Sequence, residues 1–279
     1  MLAPWTPLWF PSIRVENQDA VVGDQPQNIG VVSVDGVPIN ENGMARDRIL
    51  WFNHVFLPPG ARAEWIFTGL PAGTTARLIT RSVDTGPADE NDPARPLASI
   101  VASGAASKPQ FALASSPTPL PRSDSVWLGG VKPVRTRKLY FSERPKDPND
   151  PNSPTVFMIT VDGQTPEPYN PHQSQPDITV HSGDVEDWII ENRTREMHAF
   201  HIHQIHFLLT EWDGAPVDEP FLRDIVNVPV WDGKSACYPS VTLRMDFRNP
   251  DAVGTFVYHC HLLEHEDGGM MGTIRVLPK

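Results

Sequence analysis

The chain has 279 residues and a formal net charge of −11, with 34 acidic against 23 basic side chains. Its length suits two domains and is enough to bury a core without disulfides, which two cysteines could not supply as a framework. The 30 prolines, against a usual share of about 5%, argue against a helical bundle, and the acidic balance argues against nucleic acid as a partner. No apolar stretch approaches the roughly 20 residues of a membrane helix, and the first residues do not predict a signal peptide.

The first block of predicted elements, residues 1–104, consists of strands and turns. A strand-like alternation of side chains on either side of an Asp-Gly turn predicts a hairpin over residues 31–39. Two strands are predicted within residues 49–70, interrupted by Pro and Gly at 58–60, and another is predicted over residues 76–83.

The second block begins after residues 105–124, which are rich in Pro, Ser and Ala and are predicted to form a linker. Within residues 125–279 the segment 178–192 predicts a hairpin, and no helical periodicity of useful length is present. Further strands are predicted over residues 138–143, 155–163, 197–214, 240–247, 254–265 and 271–278. Short strands at this spacing predict an all-β protein built as an antiparallel sandwich.

Seven of the ten histidines fall in two short segments, residues 197–206 and 259–265. If the second segment is a strand, its side chains alternate between two faces. His259 and His261 then point one way and Cys260 the other. One strand therefore offers a thiolate to one site and two imidazoles to another.

Cys260, His265 and Met270 follow one another at intervals of five residues. A thiolate, an imidazole and a thioether at this spacing are three of the four ligands of a blue-copper site, which uses two histidines and one cysteine with a weak axial methionine. His198 is the candidate for the missing histidine. Met271 could replace Met270, but the spacing favours Met270.

A second set of imidazoles could form another metal site. His201 and His203 share one strand face and could join His259 and His261. Imidazole suits copper, zinc and iron, so this pattern alone does not select the metal, although the adjacent thiolate–methionine set favours copper. Zinc is the alternative, but structural zinc sites usually contain more cysteines or a compact finger spacing.

The remaining histidines and the second cysteine are not expected to bind metal. His206 follows the strand and fits no ligand role, and His54, His172 and His181 are isolated. Cys237 is expected to be a free, partly buried thiol. Four residues after the first histidine segment could either line a substrate pocket or form a turn: Glu211, Trp212, Asp213 and Asp224.

At these motifs the chain resembles the multicopper oxidases, a family that includes laccases, bilirubin oxidases, bacterial spore-coat laccases and copper-efflux oxidases. HAFHIH resembles the family's His-x-x-His-x-His motif, and HCHLLEHEDGGMM resembles its His-Cys-His-x-x-x-His-x-x-x-x-Met motif. The resemblance covers about residues 125–279 as the family's C-terminal copper-binding domain, and residues 1–104 are similar to part of its middle domain. It implies cupredoxin-like Greek-key β-sandwich domains.

The resemblance also implies copper as the cofactor and a role for each motif residue. It implies a type 1 copper held by His198, Cys260, His265 and Met270, a type 2 copper held by His201, and a type 3 pair held by His203, His259 and His261. Electrons from the substrate would reach His265 first and pass from Cys260 to its two neighbouring histidines. Glu266 matches a carboxylate that helps to deliver protons to dioxygen in spore-coat-type laccases, and a solvated loop acid is the alternative.

The function implied is that of a laccase-like multicopper oxidase, or its C-terminal portion. Such an enzyme takes single electrons from phenolic or aromatic compounds or metal ions and reduces dioxygen to water. The family carries two further His-x-His motifs near the N-terminus, whereas residues 1–180 contain only His54 and His172. Four of eight trinuclear histidines are therefore expected, which a second copy or a complementing chain could complete. The alternatives are a non-catalytic blue-copper electron carrier and a copper-binding subunit. A periplasmic or secreted location is implied.

Overall fold

A computed structural model describes residues 8–10, 16–24, 26–39, 49–67, 69–103, 126–150 and 152–279 of the chain. Within these ranges the regular secondary structure is almost entirely β, which confirms the all-β prediction. The predicted linker, residues 105–124, lies outside the described residues, and the domain limits at residues 104 and 125 stay predictions. None of the helices in the described part of the chain is long and apolar enough to span a membrane.

The N-terminal part contains two sheets, which we call the N-terminal sheets. Their strands are β1 Leu8–Phe10, β2 Gln18–Val22, β3 Ile29–Val34, β4 Val37–Pro38, β5 Leu50–Phe52, β6 Val55–Leu57, β7 Ala63–Phe67, β8 Thr75–Arg81 and β9 Arg95–Val101. One sheet has the order β1-β7-β3-β4 with β5 also on β3, and the other has the order β6-β2-β8-β9. Apolar side chains from both sheets, including Val22, Val31, Trp65 and Leu78, form one buried cluster.

Two sequence predictions for the N-terminal sheets have different outcomes. The predicted hairpin is confirmed, because β3 pairs antiparallel with β4 around Asp35 and Gly36, which both have positive φ as a tight hairpin turn requires. The segment 49–70 forms three strands rather than the two predicted. β5 pairs with β3 in one sheet and β6 pairs with β2 in the other, so the chain changes sheets between them.

The C-terminal part contains two larger sheets that enclose the main core. Their strands are β10 Arg135–Pro145, β11 Thr155–Val161, β12 Ile178–His181, β13 Val185–Asn192, β14 His198–Ile202, β15 Phe207–Trp212, β16 Ala215–Pro216, β17 Ile225–Val228, β18 Ser240–Asp246, β19 Gly254–Cys260 and β20 Met271–Leu277. The orders are β11-β10-β13-β18-β15-β16 and β12-β20-β19-β14-β17. At the centre Trp188 is fully buried, with the rings of Phe200, Phe247 and Tyr258 5.8–6.4 Å away.

Three predictions for this part need correction. Residues 178–192 are not a hairpin, because β12 pairs with β20 in one sheet while β13 pairs with β10 and β18 in the other. The sandwich is not wholly antiparallel, since the β12–β20 and β10–β13 pairs are parallel. The strand predicted over residues 254–265 ends at Cys260, and the short helix α1, Leu263–Asp267, begins three residues later; 3-10 turns span Leu128–Gly130 and Pro250–Ala252.

Candidate metal centres

The two histidine segments meet because β14 and β19 are adjacent antiparallel strands. Their register places Phe200 opposite Cys260 and His201 opposite His259. Because neighbouring residues of a strand point to opposite faces, Cys260 is directed into the sandwich core while His259 is directed to the other face. The register therefore gathers the candidate ligands into two groups on opposite sides of one sheet.

The first group, which we call the Cys–His centre, combines His198, Cys260 and His265, all buried. The Cys260 sulfur lies 3.7 Å from Nδ1 of His198 and 3.6 Å from Nδ1 of His265, and the two Nδ1 atoms lie 3.0 Å apart. Met270 is fully buried, and its backbone accepts a hydrogen bond from the Cys260 N–H and donates one to the carbonyl of His265. Helix α1 supplies His265. If the strand continued, the side chain of His265, five residues after Cys260, would point to the opposite face of the sheet.

The outer nitrogens of both rings face oxygen atoms. Thr194 Oγ1 lies 2.7 Å from Nε2 of His198, and a Glu196 carboxylate oxygen lies 3.3 Å from Nε2 of His265. A proton on Nε2 of His198 can be donated to Thr194 Oγ1, whereas the buried Glu196 Oε1 has no hydrogen-bond partner among the described residues. With Nε2 protonated in both rings, the Nδ1 atoms present lone pairs towards the Cys260 sulfur. Partners of this kind orient metal-ligating histidines.

Burial determines the protonation of these three groups. It lowers the pKa of His265 to about 4 and places that of His198 well below its usual value, to which repulsion from His265 adds. The same burial raises the pKa of the Cys260 thiol to about 12. Neutral imidazoles are ready to bind a metal ion, whereas the thiol must release its proton when it does so.

The donor set and its spacing fit a single metal ion. Typical metal–ligand bonds are about 2.3 Å to sulfur and about 2 Å to nitrogen. A sulfur and a nitrogen that bind the same ion in a trigonal arrangement therefore lie about 3.5–3.8 Å apart. The observed sulfur–nitrogen distances of 3.6 and 3.7 Å lie in this range. One thiolate and two imidazoles with a weak axial thioether are the ligands of a blue-copper site, and the buried Met270 is joined to Cys260 and His265 by backbone hydrogen bonds.

The second group, which we call the imidazole cluster, lies on the opposite face of β14 and β19. His201, His203 and His259 have one ring nitrogen each within 4.8 Å of the others. The His261 ring lies 5.3 Å from that of His201 and 5.4 Å from that of His259, measured between ring centroids. The structure thus brings together the four histidines that the motifs single out, with His261 outside the closest three.

Backbone carbonyls orient two rings of the imidazole cluster. His201 Nδ1 donates to the carbonyl of Asp224 over 2.7 Å, and His259 Nδ1 donates to that of Cys260 over 2.9 Å. Both donations leave Nε2 unprotonated and able to bind a metal ion. Burial lowers the pKa of His201 to about 4, and that of His259 also falls. The buried Nδ1 of His261 has no hydrogen-bond partner among the described residues.

Glu266 lies at the edge of the imidazole cluster. Its carboxylate oxygen is 3.2 Å from Nδ1 of His259, and its side chain is about a quarter exposed (27%). Glu266 therefore lies between a ligand-candidate ring and solvent.

A cavity of about 530 Å³ opens beside the Cys–His centre. It reaches His265 and is lined by four carboxylates, those of Asp89, Glu143, Glu196 and Glu264. Burial and a hydrogen bond with Glu143 raise the pKa of Glu196 to about 9. Solvent reaches the Cys–His centre through this cavity, at the ring of His265.

The residues predicted not to bind metal lie outside both groups. His206 Nε2 donates to the carbonyl of Asp35 (3.2 Å) and His54 Nδ1 lies 2.6 Å from a carboxylate oxygen of Asp19, while His172 and His181 are exposed. Cys237 is free, as predicted, but exposed rather than partly buried.

The four residues that might have lined a substrate pocket have other roles. Trp212 and Asp213 belong to the β15–β16 turn, where Asp213 has a φ of 49°, and Glu211 accepts a hydrogen bond from Thr242. None of them lines the cavity at His265. Asp224 forms an ion pair with Arg62, which sequence reasoning missed because the two residues lie 162 positions apart.

Comparison with known sequences identifies relatives of the C-terminal part. A family model described as "Multicopper oxidase" matches residues 148–279. The multicopper oxidase mco of Staphylococcus haemolyticus is 32% identical over 158 residues, which is 51% of this chain and 32% of that protein. A laccase of Bacillus stratosphericus is 29% identical over 109 residues, which is 34% of this chain and 21% of the laccase. The chain spans about a third of the length of the first of these relatives.

Comparison with solved structures extends the likeness to nearly the whole chain. A multicopper oxidase from Campylobacter jejuni, described as a metallo-oxidase, matches 98% of this chain and 53% of its own, with a TM-score of 0.69 and 22% identity. A variant of the McoA multicopper oxidase from Aquifex aeolicus matches 99% of this chain and 56% of its own, with a TM-score of 0.69 and 18% identity. At these identities the likeness shows a shared cupredoxin-like fold.

Proposed function

We propose that the protein is a laccase-like multicopper oxidase, or the C-terminal portion of one, because the multicopper oxidase family model matches residues 148–279. It would remove single electrons from a phenolic, aromatic or metal-ion reductant and pass four of them, with four protons, to dioxygen to form two waters. The observation that carries the proposal is the single strand β19, which supplies Cys260 to one group of ligands and His259 to the other.

Copper, when bound, would supply one-electron redox chemistry to both groups. In the Cys–His centre we propose that His198, Cys260, His265 and Met270 hold a type 1 copper. Thr194 orients the imidazole of His198, Phe157 stacks on that of His265, and burial excludes water from the thiolate. In the imidazole cluster we propose that His201 serves a type 2 copper and that His203, His259 and His261 serve a type 3 pair.

The covalent link between the two groups supports this assignment. Cys260 is joined through one peptide bond to each of His259 and His261, so the thiolate and both imidazoles belong to one continuous piece of backbone. Glu266 is placed to hold a proton 3.2 Å from His259 and to exchange it with solvent. Both arrangements match the needs of an enzyme that brings electrons and protons to the same place.

The cavity at His265 is the proposed binding place of the reductant. Its lining holds four acidic side chains and one arginine, Arg144. The raised pKa of Glu196 keeps that residue neutral near pH 7, and the other acidic groups favour cationic reductants, such as low-valent metal ions or protonated aromatic amines, over anionic ones. Phe157, whose ring stacks on His265 at a centroid distance of 4.4 Å, also lines the cavity and offers an aromatic surface. A periplasmic or secreted location is part of the proposal and rests on the family alone.

A blue-copper electron carrier is the second candidate. The burial of the two groups favours this candidate. The Cys–His centre is buried, whereas His203 of the imidazole cluster is exposed. A carrier or copper-binding subunit would need the first centre alone. A second copy of the chain, or a complementing chain, could supply further histidines to the exposed side.

Copper counting combined with absorption spectroscopy and oxygen uptake tests the proposal. More than one copper per chain and an intense thiolate-to-copper absorption band are the expected results, with oxygen consumption once a second copy or a complementing chain supplies the remaining histidines. One copper per chain with the same band and no oxygen uptake would instead identify an electron carrier. Absence of the band in copper-loaded protein would overturn both functions.

A further inference from the structure

We propose that the loop of residues 58–62, which joins β6 to β7 in the N-terminal sheets, positions two rings of the imidazole cluster. Arg62 fixes His201 through Asp224, and Gly60 fixes His261 by direct contact. The inference rests on the proposed copper site at these rings, and it gives the N-terminal sheets a part in that site although none of their own residues is a ligand candidate.

The loop is wedged against the strands that carry the cluster. Its turn is closed by a hydrogen bond from the Ala61 N–H to the carbonyl of Pro58. Ala61 is almost fully buried and packs on Ala199 of β14 and Ile225 of β17. The backbone on either side of Ala61 is therefore held at a fixed distance from His201, which lies two residues beyond Ala199.

Gly60 touches the ring of His261. A Cβ atom added at Gly60 would lie 2.5 Å from Nε2 of this ring and 2.6–2.7 Å from the two carbons beside it, closer than any real contact allows. Gly60 also has a φ of 81°, which disfavours other residues. Because no described residue forms a hydrogen bond with the buried Nδ1, the contact with Gly60 is the constraint on the ring that the described residues supply.

Asp224 connects Arg62 to His201. The Arg62 guanidinium donates to both carboxylate oxygens of Asp224, over 2.9 and 2.5 Å. The carbonyl of Asp224 accepts the hydrogen bond from His201 Nδ1, and its carboxylate lies 3.7 Å from the same nitrogen. The planar, two-point pairing fixes the orientation of Asp224, so it fixes the direction in which His201 presents Nε2.

Asp35 forms hydrogen bonds with both Arg62 and Asp224. Its carboxylate side chain is fully buried and accepts hydrogen bonds from the backbone N–H groups of Arg62 (3.0 Å) and Asp224 (3.2 Å). Its carbonyl accepts a third, from the Arg62 guanidinium. One buried residue of the β3–β4 turn thus ties the loop to β17, and this explains why the ion pair forms between two separate parts of the chain.

The position of the loop predicts a selective effect. Among the described residues, none of the four proposed type 1 ligands forms a hydrogen bond with residues 58–62. Disturbing the loop should therefore change the imidazole cluster and leave the Cys–His centre as it is. Loss of a partner that orients a metal-binding histidine costs about 10–100-fold in metal affinity.

The test uses Arg62→Leu, Arg62→Lys and Gly60→Ala, with Arg81→Leu as a matched control from another arginine–aspartate pair of the N-terminal sheets. NMR of the metal-free protein should show shifted ring signals of His201 in both Arg62 variants and of His261 in Gly60→Ala, with His198 and His265 unmoved. Lysine should act as a partial substitute, because it cannot pair at two points.

Titration with Cu²⁺ alone, followed by electron paramagnetic resonance and absorption, completes the test. The variants should keep the blue band and lose about tenfold or more in affinity at the imidazole-bound copper, while the control matches the parent. Unmoved ring signals, or equal losses at both centres, would overturn the positioning role. A parent that binds only the type 1 copper would contradict the proposed oxidase, and the metal-free ring signals would still decide the role of the loop.

Discussion

Replacing His201 by asparagine should make the metal-free protein less sensitive to acid. Burial lowers the pKa of His201 to about 4, although the neighbouring Asp224 acts in the opposite direction. An imidazole in an unfolded chain titrates near pH 6.5. Because the pKa is lower in the folded state, this ring's contribution to stability is complete above about pH 6.5 and is lost as the pH falls through 4.

The magnitude follows from the two pKa values. Proton uptake by the unfolded chain alone should remove about 2 kcal/mol of unfolding free energy by pH 5 and about 3 kcal/mol by pH 4. This is a large part of the 5–15 kcal/mol that stabilises an ordinary domain. Asparagine keeps an N–H close to the place of Nδ1, so it can still donate to the carbonyl of Asp224, but it does not titrate.

Urea unfolding in the presence of a chelator, measured from pH 8 to pH 4, provides the assay. The quantity to follow is the unfolding free energy of the parent minus that of His201→Asn, because other titrating groups cancel in this difference. It should be constant above about pH 7 and fall by about 2 kcal/mol at pH 5. A difference that does not change with pH would refute the reasoning, since the ring would then not be kept neutral by burial.

Four further outcomes are expected. Cys260→Ser should abolish the blue absorption of copper-loaded protein, because a serine hydroxyl is a poor copper(II) ligand, and a surviving band would disprove the type 1 assignment. Met270→Leu should keep the band and alter the reduction potential measured by redox titration; an unchanged potential would exclude Met270 as the axial ligand. Asp89→Asn should raise KM for a cationic reductant by up to about fivefold in steady-state assays and leave a neutral phenol unaffected, whereas equal effects would argue against charge selection in the cavity. Removing copper should lower the thermal midpoint seen by calorimetry, since a ligand at 1,000 times its Kd adds about 4 kcal/mol, and equal midpoints would mean that the folded chain does not hold the metal tightly.

The sequence was sufficient to predict the ligand candidates because their signals are local. Alternation along β19 and the five-residue steps from Cys260 to His265 and Met270 both operate within a dozen positions. The pairing of β14 with β19 then brings the two histidine segments together, and the separation of thiolate from imidazoles follows from strand geometry alone.

The surroundings of the ligands could not be predicted, because they depend on contacts between distant parts of the chain. The pairing of Arg62 with Asp224 links two sheets, and nothing in either local pattern indicates it. The same limit applies to β12 and β13, whose alternation resembles a hairpin although each strand joins a different sheet. Periodicity reports which face of a strand is buried and does not report which strand lies beside it.

The register between β14 and β19 has a further consequence for how errors in folding would become visible. A slip of one residue would turn Cys260 towards the imidazole cluster and His259 into the apolar core, since every side chain of a slipped strand changes face. Both centres would be dismantled by the same mistake, and no partly correct arrangement would keep one of them. Colour in a copper-loaded sample is thus a measure of the fraction of molecules that assembled with the right strand alignment.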